Sequence, residues 1–206
     1  MKISKLLMLC AVVLLGINAW SQDFPRVEVA ADYSYARFYP VAGGTQSLSL
    51  NGGGGALVVN VTNYFGIKMD LQGYGSNNIT WTSPVYGIFQ AQGNLFTYLF
   101  GPQIKFRTPK FQPFAQVLLG GAHSNVYGNL TRACAGACVT SGSPAGDAFA
   151  LALGGGIDIP INKAFQFRPV EIDYLMTRFT NQFNNSSQSN FRYSAGVNFT
   201  FGGSSK

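Results

Sequence analysis

The stretch Asn190-Phe-Arg-Tyr-Ser-Ala-Gly-Val-Asn-Phe-Thr-Phe201 decides the fold. Phe191, Tyr193, Ala195, Val197, Phe199 and Phe201 fall on one parity; Arg192, Ser194, Gly196, Asn198 and Thr200 fall on the other. Successive side chains of a strand point to opposite faces, so this is a ribbon with one apolar, aromatic side and one polar or small side.

The same alternation recurs along the chain. Strands are expected at about 26–38, 52–62, from 67 onward, 94–106, 111–123, 147–158, 166–176 and 190–201, eight in all. The first opposes Val27, Val29, Ala31, Tyr33 and Tyr35 to Glu28, Ala30, Asp32 and Ser34. The second places Leu57, Val59 and Val61 on its apolar side, and the third opposes Met69 and Leu71 to Lys68, Asp70 and Gln72, a parity expected to continue through Ile79 and Trp81. The fourth opposes Phe96, Tyr98, Phe100 and Ile104 to Thr97, Gln103 and Lys105. The fifth sets Ala115, Val117 and Leu119 against Gln116, Leu118 and Gly120, a second side less polar than the others. The sixth opposes Phe149, Leu151, Leu153 and Ile157 to alanines, glycines and Asp158; the seventh opposes Val170, Ile172, Tyr174 and Met176 to Glu171 and Asp173.

Composition says which side meets water. Charged residues are 11% of the chain, against about 25% for an ordinary soluble domain. With 17 Phe and 10 Tyr, the apolar side is suited to lipid. A soluble lipid-binding barrel would reverse the faces, but its wet surface would then be unusually rich in Gly and Ala and poor in charge. Beyond the N-terminal leader no apolar run is long enough for a transmembrane helix, and strands cross a bilayer only as a closed barrel, where no backbone group is left unpaired. Connections near 63–66, 107–110 and 159–165 are short; those near 39–51, 76–93, 124–146 and 179–189 are long and rich in Gly, Ser, Asn and Thr. The fold class expected is therefore all-β: a transmembrane antiparallel up-and-down β-barrel of eight strands, with short periplasmic turns and long extracellular loops, in the outer membrane of a Gram-negative-type bacterium. Phe106, Phe111, Phe165, Phe167 and Phe201 gather near the turns and Tyr33, Tyr35, Trp81 and Tyr174 toward the loops, as two interfacial girdles.

Residues 1–21 read as a signal peptide: Lys2 and Lys5, an apolar run from Leu6 to Ile17, and a small-x-small site at Ala19-Trp-Ser21. Residues 22–206 read as a single barrel domain. Loss of Lys2 and Lys5 lowers the formal net charge from +6 to +4. The remaining bases are scattered, which argues against a nucleic-acid partner. Cys10 leaves with the leader, and Cys134 and Cys138, in Arg132-Ala-Cys-Ala-Gly-Ala-Cys-Val139, read as a loop disulfide in an oxidising compartment. A metal site would need further ligands that this neighbourhood lacks, and no cofactor motif is present; Gly52–Gly55 and Gly154–Gly156 lack the context of phosphate loops.

The informative candidates are ionic. Glu28, Asp32, Lys68, Asp70, Lys105, Asp158, Glu171, Asp173 and Arg192 all have inward parity. A small barrel is filled by its own side chains, and buried charges must pair. A charged plug is the first reading, and a gated polar path is the second. His123 and Ser124 could suggest a rim enzyme, but adjacent strand residues face opposite ways, and a nucleophile needs its base within hydrogen-bond reach.

Over about 26–201 the chain resembles the eight-stranded OmpA-like family of outer-membrane β-barrel proteins, in strand number, alternation, loop asymmetry and the aromatic-rich final strand Asn198-Phe-Thr-Phe201. The resemblance implies that this last strand is an assembly signal for the barrel assembly machinery, although Gly202 to Lys206 follow the terminal aromatic. The expected role is structural or surface-interacting: a monomer in outer-membrane lipid, with loops available to an extracellular partner. A narrow pore for small solutes is the alternative, and a lipid-modifying enzyme a third reading.

Overall fold

The computed structural model describes residues 24–38, 48–83, 87–124, 130–133, 146–178 and 187–202. Its strands are β1 (Val27–Phe38), β2 (Leu48–Asn60), β3 (Phe65–Ser83), β4 (Gly87–Lys105), β5 (Gln112–Ser124), β6 (Leu130–Ala133), β7 (Gly146–Pro160), β8 (Phe165–Arg178) and β9 (Gln188–Phe201). Every pairing is antiparallel, and consecutive barrel strands are neighbours. β1 pairs with β9 from Val27↔Phe201 to Arg37↔Phe191, which closes eight strands into a cylinder without a free edge. The short β6 lies outside that cylinder and extends the sheet only against Ile88–Ala91 of β4.

Closure follows from the solvent. In hydrocarbon each unpaired backbone N–H or C=O carries its full desolvation penalty, and only a continuous ladder removes all of them. The turn ends are pinned separately. Arg26 N–H donates to the Phe201 carbonyl (2.9 Å) and Asn60 N–H to the Arg26 carbonyl (2.8 Å), while Val61 and Thr62 both donate to the Phe65 carbonyl, at 2.9 and 3.0 Å. Ile161 and Asn162 repeat that arrangement on the carbonyl of Phe165.

The predicted parity is visible as exposure. In β9, Gln188, Asn190, Arg192, Ser194, Asn198 and Thr200 are buried, whereas Phe191, Tyr193, Phe199 and Phe201 are exposed. Phe100, Leu119, Phe149, Leu153 and Ile172 are each at least half exposed, which for a water-soluble protein would be an anomaly of many side chains. The girdle aromatics Tyr33, Tyr35, Phe106, Phe111, Phe167, Tyr174 and Phe201 are exposed, and Phe165 is half-buried. At the loop end the tyrosines carry outward polar partners: Tyr33 Oη donates to Asn51 Oδ1 (2.8 Å), and the hydroxyls of Tyr35 and Tyr174 meet those of Ser49 (2.8 Å) and Ser189 (2.7 Å). An amphipathic ring with its hydroxyl satisfied at one end marks the border of an apolar band.

Several expectations need correction. The segment 76–93, expected as a loop, is largely the extended β3–β4 hairpin, in which two residues of β3 between Ser76 and Ile79 face one of β4, so the alternation expected through Trp81 is interrupted. The segment 124–146 contains β6. β2 begins at Leu48 rather than near 52, because Leu50 is an inward core residue beyond the glycine run. β8 begins at Phe165 and carries one extra residue at Pro169, visible in both of its ladders. Residues 1–21, Cys134 and Cys138, and the side chain of Trp81 lie outside the described residues.

The two faces of β7 give a direct test. Leu153→Arg should lower stability in lipid by about 2–4 kcal/mol near the bilayer midplane, while Leu153→Phe should be close to neutral. At the buried neighbour Ala152 even Phe should be destabilising, because the lumen is packed. Denaturant titration in vesicles measures all three, and equal responses at Leu153 and Ala152 would contradict the assignment.

Candidate functional site

Inside the cylinder the charged side chains form one continuous, strictly alternating chain. Arg107 Nη2 contacts Glu28 Oε1 (2.7 Å), and Glu28 Oε2 meets Lys105 Nζ at 2.5 Å. Lys105 reaches Asp158 (2.7 Å), which accepts two parallel bonds from Arg168, at 2.6 and 2.9 Å. Arg168 Nη1 continues to Glu171 (2.7 Å), Glu171 to Lys68 (2.8 Å) and Lys68 to Asp70 (3.6 Å). Asp70 contacts Arg192 (2.7 Å), and Arg192 ends the series on Asp173 (2.7 Å). Five cations thus alternate with five anions. Except for Arg107, every member is at most 2% exposed.

The strands position these groups by parity alone. β1 supplies Glu28, β3 Lys68 and Asp70, β4 Lys105, β7 Asp158, β8 Arg168, Glu171 and Asp173, and β9 Arg192. β2 and β5 contribute no charge to the series. β5 gives Gln116 instead, whose amide donates to Glu171 and Asp173 (both 2.7 Å) and accepts from Lys68 (2.9 Å). It also gives Phe114, whose ring lies 4.5 Å from the Arg168 guanidinium carbon and 5.7 Å from Lys68 Nζ. Asn198 of β9 donates to Glu28 Oε2 (2.7 Å) and Gln166 Oε1 (3.1 Å). Inward glycine on β7 is a close-approach device: a Cβ on Gly154 would strike the Asp173 carboxylate, and one on Gly156 would press the Phe114 ring at 2.9 Å.

Eight of the nine ionic residues expected from the sequence are members of this series. Asp32 is not: it is half-buried and accepts hydrogen bonds from Ser34 (2.9 Å) and Gln72 (2.8 Å). Two members were missed. Arg168 lies on the parity of outward Val170 and Ile172, and only the extra residue at Pro169 turns it inward. The signal was present, because outward Phe167 and outward Ile172 cannot share a strictly alternating strand. Arg107 belongs to the β4–β5 turn, where parity says nothing; it folds back under the barrel to Glu28 and to the Asn63 carbonyl.

The loop-side half of the lumen holds none of the ionic series and mixes leucines with uncharged polar side chains such as Thr97, Ser124, Thr177 and Asn190. Leu50, Leu95, Leu99, Leu118 and Leu175 are fully or almost fully buried there, with Tyr74 and the alanines of β7. At the turn side a recess of about 410 Å³ opens below Gln112 and Gln166, edged by Pro25, Pro109, Pro160 and Lys163. His123 is exposed on the outer surface and bonds Asp147 (2.8 Å), while Ser124 is buried, so the two side chains face opposite ways, as alternation requires. Among the described residues no three His, Cys, Asp or Glu side chains are grouped to hold a metal ion, and no helix is long and apolar enough to cross a membrane.

A buried series of this kind is sensitive to loss of one member. Arg168→Met would leave Asp158 and Glu171 each with one cationic partner fewer, and stability in detergent micelles should fall by about 3–5 kcal/mol. Substituting Asp158→Asn in the same chain should add much less than its own single effect, since the two residues share one interaction. Strict additivity in urea titrations would contradict the linkage.

The comparisons agree with this geometry. The family model described as "Outer membrane protein beta-barrel domain" matches residues 7–201. The structure of Neisserial surface protein A superimposes with a TM-score of 0.60 at 14% identity, covering 87% of this chain and 100% of that one. Ail, the attachment invasion locus protein of Yersinia pestis, gives 0.53 at 11% identity, with 86% and 99% covered. At these identities the likeness is one of fold. Comparison with curated proteins returns no match. With its closed eight-stranded cylinder, apolar exterior and ionic interior, this chain belongs to the outer-membrane β-barrel protein family and resides in the outer membrane.

Proposed function

We propose that the protein is a non-conducting, monomeric barrel with a structural or surface-interaction role, its lumen plugged by its own charged side chains. One observation carries this reading: in the alternating series from Arg107 to Asp173 every charge meets an opposite one, and every member but Arg107 is buried. A conducting path would have to separate pairs whose desolvated ions attract strongly. With the interior occupied, the surfaces left for recognition are the outer wall and the loop end. The wall's apolar band and girdles suit outer-membrane lipid, and β9 presents the aromatic edge that would engage the barrel assembly machinery. The long connections near 39–51, 124–146 and 179–189, with the β3–β4 hairpin over 76–93, would form the extracellular face. One structural relative is a surface protein by name and the other an attachment invasion locus protein, which is in keeping with such a role. The pair Cys134–Cys138 would stiffen the longest of these segments as a disulfide.

The narrow-pore alternative draws on one feature, the recess at the turn-side mouth. Liposome swelling separates the two readings. Vesicles carrying the refolded protein should swell no faster than empty vesicles in isotonic small sugars. Rapid swelling in the smallest sugar, graded by solute size, would establish the pore instead.

A further inference from the structure

We propose that the turn-side recess is a binding site for the carboxylate of a short acidic peptide presented from the periplasm. At about 410 Å³ the recess is of ligand size, since small-molecule pockets run from about 300 to 1,000 Å³. None of the residues that edge it belongs to the ionic series, so the site goes beyond the plugged-lumen reading and is separate from the plug.

Its floor is polarised in one direction. Lys105 Nζ (3.3 Å) and Asn198 Nδ2 (3.1 Å) both donate to Gln166 Oε1, which fixes that oxygen toward the series. Gln166 Nε2 then donates to Gln112 Oε1 (3.2 Å), and Gln112 Nε2 donates to the Thr108 carbonyl at the edge (3.4 Å). Neither amide can turn round. A reversed Gln166 would aim its NH2 group at the Lys105 ammonium, and a reversed Gln112 would set two NH2 groups against each other. The two amide dipoles thus stand head to tail, with their positive ends directed away from Lys105 and toward the mouth. An amide nitrogen carries two hydrogens, and this chain uses one from each, so the floor can donate to a ligand without giving up a bond. Gln112 and Gln166 are 9% and 4% exposed, so packing holds both in place.

The rim has the same sign. Lys163 edges the recess on a turn that is tied down on both sides: Thr200 Oγ1 donates to the Lys163 carbonyl (2.7 Å), Thr200 N–H to the Ala164 carbonyl (2.9 Å) and Ala164 N–H to Asn162 Oδ1 (2.9 Å). Lys110 is exposed on the opposite turn. Among the described residues the acids nearest this mouth are Glu28 and Asp158, both fully buried and each held by two cations. A cleft lined by one sign of charge concentrates its counter-ion. Two planar amide donors and an ammonium match a planar, singly charged carboxylate. No arginine is among the edging residues, whereas arginine forks are favoured for phosphate. Pro25, Pro109 and Pro160 add rigid apolar edges against which the rest of a peptide can pack.

The test is an NMR titration of the full barrel, folded in uncharged detergent micelles, with the tripeptide acetyl-Ala-Glu-Ala-amide, its Gln counterpart and inorganic phosphate. The Glu peptide should shift the side-chain amide signals of Gln112 and Gln166 and should bind at least about tenfold more tightly than the Gln peptide or phosphate. Lys163→Gln should weaken the Glu peptide by about tenfold, and Lys110→Gln, outside the recess, by much less. Equal binding of the Glu and Gln peptides, tighter binding of phosphate, shifts that spare both glutamines, or no saturation by about 10 mM would each overturn the site. So would a Lys163→Gln barrel, folded by heat-modifiable gel migration, that binds the Glu peptide as before. Should that variant not fold, the three ligands on the unaltered protein decide the matter. Binding in micelles is indifferent to conduction. Rapid vesicle swelling would therefore defeat the plugged reading and leave this site standing, and absent binding would do the reverse.

Discussion

Charge inside a cylinder wrapped in hydrocarbon has nowhere to go but onto other charge. This constraint organises the lumen. Lipid on the outside removes the option of exposing polar groups there, and an eight-stranded barrel has an interior only wide enough for side chains. Each fully buried carboxylate therefore needs a cation within reach, and the chain supplies them from strands far apart in sequence. The pair Arg192–Asp70 links β9 to β3, and Lys68–Glu171 links β3 to β8. Such contacts tie opposite walls together as well as neutralising charge. Removing any one member leaves its neighbours buried and partly unpaired, so the series behaves as a unit.

The same arrangement divides the lumen along its length. The ionic half, near the turns, is crossed by long, polar side chains that bridge the walls. The half near the loops is filled by leucine and alanine together with uncharged polar side chains such as Thr97, Thr177 and Asn190. Outside, the division runs the other way across the wall: an apolar belt faces lipid, and tyrosines with satisfied hydroxyls mark its loop-side border. On the reading proposed above, function lies at the exterior surfaces and the loop end.

Much of this was legible in the sequence because a strand has a period of two and a membrane barrel has two sharply different faces. Glu28, Lys68, Asp70, Lys105, Asp158, Glu171, Asp173 and Arg192 could be placed inside by counting alone, and each is buried there. Counting fails where the period slips. Pro169 introduces one extra residue in β8, and Arg168, a central cation, lay hidden on the wrong parity. It fails in turns as well, where Arg107 curls inward under no rule of alternation. Nor does parity foretell height: that inward Leu95, Leu99 and Leu118 would meet Leu50 and Leu175 in one layer depends on the stagger between strands. Asp32 has the right parity, yet its neighbours Ser34 and Gln72 offer hydrogen bonds rather than a cation.

The central claim is that one set of alternating residues touches hydrocarbon and the other never does. A photoactivated, bilayer-resident hydrocarbon carbene, applied to the unaltered protein in vesicles and mapped by peptide mass, tests it most directly. The account predicts label on Phe149, Leu153, Ile172 and Phe191, and none on Leu118, Leu175, Asp158 or Arg168. Label on the second group at the level of the first would show that hydrocarbon reaches the interior, and the account would fail.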